Sequence, residues 1–321
     1  MVGSAVNRAF LPAKSLFEQV GEMMILTART IVSAVKPPYP YGEEFIGQFL
    51  FALQLCWFPL LVSTVAFGFG APGLQAANFL SLFGALDRLG GFFVLASIRE
   101  FAPFVTAVVV AGVAGTAITA DLGARKIREE LDALQVLGVD PIKNLVVPRF
   151  LALMLITGLL DIYALVFGIS GGILTEILYN QPLGGFFATL FSNASITDLW
   201  GSVVKCTLFG ALIAIVCCYK GMTASGGAAG VGRAVNEAVV ISFMGVFAFN
   251  YVFTQTMLAT NPELQTIRWT PGLQCRADGS TRPGRSPALP PAWPPSSTPA
   301  ASCASSVRAC VRPASSSSVR R

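Results

Sequence analysis

The sequence contains no histidine among its 321 residues, and charged residues make up only 12% of it. Histidine is the commonest general base and metal ligand near neutral pH, so its absence argues against most catalytic and metal centres. A soluble domain carries about a quarter charged residues. Because hydrophobic residues make up 54% of this chain, too few charges remain to cover a water-facing surface, and we expect an integral membrane protein.

Motifs for nucleotides and metals are also missing from the sequence. No GxxxxGK[ST] phosphate-binding loop occurs, so ATP is not bound by that mechanism. The seven cysteines show no CxxC spacing, and four of them lie inside apolar runs, which is typical of small core residues. We therefore expect no metal, no cofactor and no catalytic residue, and we expect the chain not to be an enzyme.

Positive charge is concentrated near the C-terminus. Eight of the 22 Lys and Arg residues lie after position 267, where Asp278 is the single acid. The other 14 basic residues stand against 16 acids, so nucleic acid is not an expected partner. Residues 263–321 are rich in Pro, Ser, Ala and Arg without a hydrophobic period, which predicts a disordered tail. Two interpretations of the tail stay open: a linker outside the membrane, or a frame-shifted readout of a GC-rich gene.

The rest of the chain divides into an N-terminal stretch, 1–40, and a membrane domain, 41–262. In the first, residues 11–36 mix apolar and charged side chains, which favours an amphipathic helix in the membrane interface over an ordinary soluble helix. The second contains five apolar runs that we predict to cross a bilayer. These runs are 45–67, 103–120, 145–169, 200–219 and 237–259. The Gly-rich segment 68–98 between the first two predicts a re-entrant or outer-surface helix pair.

The Lys and Arg residues of the short loops predict the orientation in the membrane. Residues 121–149 carry five of them and 220–236 carry two, whereas 170–199 carries none and 68–102 carries two in a longer stretch. We expect the first two loops on the cytoplasmic side of the inner (plasma) membrane. The N-terminus would then be cytoplasmic and the C-terminus extracytoplasmic.

Small side chains recur every fourth residue in the second predicted span. They are Ala107, Ala111, Gly115 and Thr119. At this spacing they share one helix face, where another helix can approach closely. The stripe predicts tight helix packing, either within one subunit or across a dimer seam.

A charged helix is expected between the second and third spans, over 124–138. Ile127, Leu131 and Leu134 share one face of it. Gly138 is placed to end the helix, and Asp140-Pro141 predicts a turn. A solvated connecting helix is the alternative, but the apolar face and the well-marked boundaries favour a functional segment.

The motif "ADLGA…IREELDAL…LGVDP…LVVPR" in this region resembles the permease motif of the MlaE/YrbE family, with its specific core at 130–141. The similarity extends over about 40–260 and looks most like the A-type YrbE proteins of actinobacteria. A weaker match, GGAAGVGRAVNEAVV, starts at Gly226 and precedes the last span. The resemblance implies an all-α polytopic membrane protein with an N-terminal interfacial helix, five transmembrane helices and a cytoplasmic coupling helix between spans 2 and 3.

The resemblance also implies a function and partners. The chain would be the permease subunit of an ABC-type lipid transporter, moving phospholipid, fatty acid or sterol. Its partners would be a cytoplasmic ATPase, a second permease subunit (a homodimer or a paired B-type YrbE) and MCE-domain proteins. The ATPase would contact the coupling helix through residues of that segment. These are Arg125, Lys126, Arg128, Glu129, Glu130, Leu131, Asp132, Leu134, Leu137 and Gly138. Leu131, Leu134 and Leu137 would be the apolar anchors.

Other functions are weaker interpretations of the same residues. An intramembrane enzyme would need a nucleophile with a base, a metal set or facing carboxylates. A secondary transporter usually shows several ionisable groups at mid-membrane and an internal repeat, and a scaffold for an MCE complex is a further alternative. The clearest charges in the predicted spans are Asp161 and Lys205. Either they form a pair between neighbouring helices, or Lys205 extends to the outer interface and Asp161 lines a wet cavity.

Overall fold

The computed structural model describes the backbone of residues 2–37 and 42–261, with side chains from residue 18 onwards. The described residues are almost entirely helical and contain no β-strand. The predicted tail, 263–321, lies outside the described residues.

Five helical segments are long and apolar enough to cross a membrane. Spans 1 to 5 are Gly42–Leu82, Leu86–Ile127, Ile142–Leu178, Ile196–Met222 and Gly227–Thr260. Each contains the core of one predicted span, so the predicted all-α membrane fold with five spans is confirmed. We call the end of the bundle that carries the loops after spans 2 and 4 the basic end.

The individual helices follow the chain in a simple order. They are α1 Val2–Val35, α2 Gly42–Gly68, α3 Ala76–Leu82, α4 Leu89–Phe93, α5 Ala102–Val110, α6 Thr116–Ile127, α7 Glu130–Val136, α8 Val147–Leu178, α9 Leu183–Asn193, α10 Ile196–Met222 and α11 Gly227–Thr260. Wider π-helical turns join consecutive helices within spans 1 and 2, at Phe69–Gln75, Val94–Phe101 and Ala111–Gly115, and another, Ile142–Val146, begins span 3 before α8.

The segment 68–98 forms two helical arms that continue spans 1 and 2, so it is not a separate element, and its predicted place at the outer surface stays a prediction. It forms the distal halves of spans 1 and 2, which are joined at residues 83–85, where Gly84 has φ +63°. Gly and Pro interrupt the helical pattern in the sequence. In a bundle, neighbouring helices and local π adjustments satisfy the backbone groups that such residues free, so the helix continues.

Spans 2, 3 and 4 form the centre of the bundle. About 56–67% of their most apolar windows are buried, compared with 22% for span 1 and 17% for span 5. Close packing of α8 and α10 requires Gly210, where a Cβ atom would lie 2.6 Å from the Leu153 carbonyl oxygen. Spans 1 and 5 consequently present most of their apolar surface outward.

The N-terminal helix α1 packs against the basic end. Leu26 and Thr30 are buried there. Tyr219 donates to Glu22 at 2.5 Å, and the Lys220 Nζ donates to Gln19 at 3.0 Å. The same ammonium binds Glu237 of span 5 at 2.8 Å. Helix α1 is therefore bound to span 4, which is itself paired with span 5 through Lys220, while the position of α1 in the membrane interface stays a prediction.

Candidate functional site

A cluster of ionisable side chains lies inside the bundle between spans 2, 4 and 5. We call it the charged cluster, and its members are Arg99, Glu100, Asp198, Lys205, Asn250 and Thr254. Lys205 stands nine residues after the start of α10, or about 14 Å along the helix at 1.5 Å per residue. Ionisable groups at such depth are costly, and they mark functional sites by default.

Glu100 is the centre of this cluster. Its carboxylate accepts from Thr254 Oγ1 at 2.8 Å and from Asn250 Nδ2 at 2.9 Å. It also pairs with the Lys205 Nζ at 3.4 Å. The Lys205 ammonium, 3% exposed, donates further to the Arg99 carbonyl oxygen at 3.0 Å and to Thr254 Oγ1 at 2.9 Å. One buried cation is thus held by acceptors from two other spans.

Asp198 links the cluster to the start of span 4. Its Oδ2 accepts from the backbone N–H and the hydroxyl of Ser195, and Ser195 Oγ accepts from the Asp198 N–H, which completes a capping box. Its Oδ1 accepts from Arg99 Nε at 2.7 Å. A single buried carboxylate therefore begins one helix and neutralises a cation of another.

The predicted pair of Asp161 and Lys205 is corrected by these contacts. Lys205 finds its acid in Glu100 of span 2. Asp161 instead accepts from Ser202 Oγ at 2.7 Å, and its Oδ1 is buried without a hydrogen bond to any described residue. The physical reason is that Lys205 reaches three acceptors on spans 2 and 5, whereas the shorter Ser202 side chain is the group of α10 that meets span 3.

An apolar groove adjoins the charged cluster between α10 and α11. It has a volume of about 320 Å³ and is lined by Trp200, Val204, Phe253 and Met257 together with threonines and Gly201. A smaller recess beside it is lined by Arg99, Glu100 and Lys205, and Gly201, Phe253 and Met257 line both spaces. The two spaces together form a site with one charged and one apolar part.

A second candidate region lies at the basic end, in the loop between spans 2 and 3. We call residues 128–141 the connecting segment. The predicted continuous helix over 124–138 is corrected, because α6 ends at Ile127 and the left-handed Glu129, with φ +59°, separates it from α7. Gly138 ends α7 as expected: its φ is +78°, and the N–H groups of Gly138 and Val139 donate to the Gln135 and Leu134 carbonyls.

The apolar residues of the connecting segment are divided between two surfaces. Leu131 is only 4% exposed and Leu134 packs against the core, whereas Val136 and Leu137 are 87% and 76% exposed. Leu131 is therefore not available as the predicted anchor for a partner. The exposed apolar tip consists of Val136, which the sequence analysis did not name, and Leu137.

The charges of this region pair mainly with one another. Lys126 binds Asp132 at 2.9 Å, and Arg128 binds Glu130 at 2.9 Å. Arg125 binds Asp121 of its own helix at 3.2 Å. These exposed pairs add little stability, but they surround the apolar tip with polar groups.

The small-residue stripe faces the interior of the chain. Ala107, Ala111, Gly115 and Thr119 are all buried. A Cβ atom on Gly115 would lie 2.9 Å from Cys217 Sγ, and Thr119 Oγ1 donates to the Cys217 carbonyl at 3.3 Å. Of the two alternatives, the structure places the stripe against span 4 of the same subunit.

Sequence analysis missed most of the charged cluster. Arg99 and Glu100 fall in the stretch 68–102, which was counted as a loop before a second span predicted to begin at 103. An 18-residue hydropathy window that tolerates one charged pair would have extended that span back through both residues. Among residues 2–37 and 42–261, no three His, Cys, Asp or Glu side chains come together as a metal site.

Comparison with known proteins gives a consistent result. The family model described as Permease MlaE matches residues 45–256. A probable ABC transporter permease protein of Rickettsia typhi is 33% identical over 75% of this chain and 92% of its own length. One from Synechocystis is 38% identical over 57% of this chain and 70% of its own. The chloroplastic protein TRIGALACTOSYLDIACYLGLYCEROL 1 of Arabidopsis thaliana is 35% identical over 56% of this chain and 52% of its own.

Proposed function

This chain belongs to the MlaE permease family, and from that premise we propose that it is the membrane-spanning permease subunit of an ABC transporter that moves lipid. The resemblance read from the sequence motif is thereby confirmed at the level of the family. The A-type actinobacterial subtype stays a prediction. The phospholipid, fatty acid or sterol nature of the lipid belongs to the proposal.

The observation that carries the lipid proposal is the contact between the charged cluster and the apolar groove. A lipid has a polar head and an apolar chain, and the two spaces share Gly201, Phe253 and Met257. The recess is lined by charges of both signs that balance one another, which suits a polar or zwitterionic head group. Trp200, Val204 and Phe253 suit a chain that lies along α10. One relative's name refers to a galactolipid, which agrees with a lipid class of substrate.

The proposed energy source is an ATPase in trans. The sequence has no phosphate-binding loop of its own, and the relatives are named as ABC transporter permease proteins. The exposed tip at Val136 and Leu137 lies outside the spans, between Ile127 and Ile142, and its apolar surface suits a protein partner. We propose that this tip docks on the ATPase at the cytoplasmic face of the inner membrane, with the C-terminus outside.

The remaining partners follow from the exposed surfaces. Span 5 keeps large apolar side chains exposed, among them Met244, Phe247 and Tyr251. Such a face suits either lipid or a second permease subunit, in a homodimer or with a paired B-type YrbE. An MCE-domain protein on the outer face would receive or deliver the lipid.

One observation favours the second candidate, a secondary transporter. Arg99, Glu100 and Lys205 form an ionisable cluster within the spans, which is the kind of site that ion-coupled transporters use. The two candidates differ in their energy source, so one experiment separates them.

The test is purification of the tagged chain from its native membrane in mild detergent, followed by protein and lipid mass spectrometry. We expect an ATPase subunit and a bound lipid in the wild-type complex. Lys205→Met should lower the amount of lipid and leave the ATPase bound, whereas Leu137→Asp should remove the ATPase and leave the lipid. Transport in vesicles that follows an ion gradient without ATP would instead support the secondary transporter.

A further inference from the structure

Among the described side chains at the basic end, the most deeply buried charge is Arg149, which the sequence analysis counted only among the loop cations. Its side chain is 0% exposed although it stands near the start of α8. Its Nη2 lies 2.7 Å from Asp121 Oδ2 of span 2 and 3.6 Å from Glu44 Oε1 of span 1. Its Nη1 donates to the Leu145 carbonyl at 2.8 Å. One guanidinium therefore holds three spans together.

The position of this contact relative to the connecting segment is informative. Asp121 stands six residues before the end of span 2, and Arg149 stands seven residues after the start of span 3. The connecting segment follows span 2 and leads into span 3. The ion pair thus lies about 10 Å inside the bundle from the segment, at 1.5 Å per residue, and joins the two helices on which the segment is mounted.

The segment itself is not rigidly continuous with span 2. Helix α6 ends at Ile127, and Glu129, the residue before α7, adopts a left-handed conformation. A displacement of the tip at Leu137 could be absorbed by rotation at this break or by separation of spans 2 and 3. The ion pair between Arg149 and Asp121 joins the two spans and therefore opposes their separation.

The chemistry of the contact also favours a role beyond packing. A buried arginine is often no more stabilising than an apolar side chain of similar volume, because the cation loses its hydration, and here the two acids beside it stay about two-fifths exposed. Here the Arg149 Nε is buried as well and makes no hydrogen bond within the described chain. The arginine instead fixes the geometry between helices through separate donors, since Nη2 donates to Asp121 of span 2 while Nη1 donates to the Leu145 carbonyl of span 3.

We propose that Arg149 is a positioning residue that transmits movement of the connecting segment to spans 2 and 3 as one body. Span 2 carries Glu100 of the charged cluster, and span 3 carries Asp161, which accepts from Ser202 of span 4. The two joined helices therefore connect the tip to the charged cluster and to Asp161. This inference rests on the proposed function, in which an ATPase moves the tip. The inference adds that the Arg149–Asp121 pair governs the coupling of ATP hydrolysis to lipid movement and is not needed for docking of the ATPase.

The experiment uses the purified complex with its ATPase in vesicles of phosphatidylethanolamine and phosphatidylglycerol. ATP hydrolysis and movement of a labelled lipid are measured in the same preparation. Asp121→Asn keeps the shape of the side chain and an oxygen that can accept from Arg149 Nη2, and Glu44 remains as a nearby acid, so a loss of stability is expected but not a loss of the fold. We expect it to retain the ATPase and to raise the ATP consumed per lipid moved by at least about fivefold, the lower range of measured couplings between sites.

Matched controls come from span 1. Glu43→Gln changes an exposed neighbouring acid that has no described contact with Arg149 and should leave the ratio unchanged. Glu44→Gln removes the longer 3.6 Å contact and should have a smaller effect than Asp121→Asn. Arg149→Gln, where it folds, should raise the ratio, and the double variant should be no worse than Arg149→Gln alone.

Three results would overturn the inference. One is an unchanged ratio in Asp121→Asn with the ATPase bound, and another is loss of the ATPase from that variant, which would make the pair a docking element. The third is strictly additive effects in the double variant. A wild-type complex that lacks an ATPase would instead overturn the proposed function, so the two failures are distinguishable.

Discussion

Arg99 donates from Nε to Asp198 Oδ1 at 2.7 Å, and the same aspartate closes the capping box at Ser195 that begins span 4. The start of one span and the charge balance of another therefore depend on a single buried carboxylate, which is 1% exposed. Asp198 therefore takes part both in a local helix cap and in an ion pair with a distant part of the chain.

The first prediction concerns this carboxylate. Asp198→Ala should lower the free energy of unfolding by about 3–5 kcal/mol, because it leaves the Arg99 cation buried without its acid. Ser195→Ala, which removes the cap alone, should cost about 1 kcal/mol. Thermal unfolding of the two variants in the same detergent measures the difference. Equal losses would show that the Arg99 contact contributes nothing.

A second prediction tests which acid Lys205 uses. In a double-mutant cycle, Lys205→Met and Glu100→Gln should show an interaction energy of about 0.5–3 kcal/mol, the range for residues in contact. Lys205→Met combined with Asp161→Asn should be closer to additive, since Asp161 bonds to Ser202. A larger interaction with Asp161 than with Glu100 would restore the pair predicted from the sequence.

The third prediction concerns the packing of the small-residue stripe against span 4. Gly115→Val should destabilise the subunit by about 1–3 kcal/mol, the usual cost of inserting methyl groups into a packed site, because its Cβ would meet Cys217. Gly112→Val is the matched control, since a Cβ at Gly112 meets no atom within 4 Å. Unfolding of the isolated subunit reports both. A normal monomer that fails only to dimerise would instead place the stripe at a subunit seam.

A fourth prediction separates the exposed tip from the buried face of the connecting segment. Leu137→Asp should abolish retention of the ATPase and leave the stability of the subunit unchanged, because burial of one leucine in an interface contributes about 1.5–3 kcal/mol. Leu131→Asp should unfold the segment itself, because Leu131 is buried in its own chain. Copurification and limited proteolysis distinguish the two outcomes. Retention of the ATPase by Leu137→Asp would remove the tip from the docking surface.

Several elements of this architecture follow from local sequence. The five spans follow from apolar length, and the end of α7 follows from Gly138, because only a residue free of a Cβ adopts φ +78° at little cost. The extent of spans 1 and 2 did not follow, because Gly, Pro and the Asp87-Arg88 pair weaken the local signal, and only neighbouring helices decide whether such a segment continues as helix.

The sequence by itself determined the class of the protein and the number of its spans. Each of these depends on composition and on a rise of about 1.5 Å per residue. Only the tertiary structure decided that Lys205 meets Glu100, that Arg149 binds Asp121 and that the small-residue stripe faces Cys217. The physical reason is that apolar length along the chain specifies a span but not the rotation of each helix or its neighbours, which packing of the whole bundle sets.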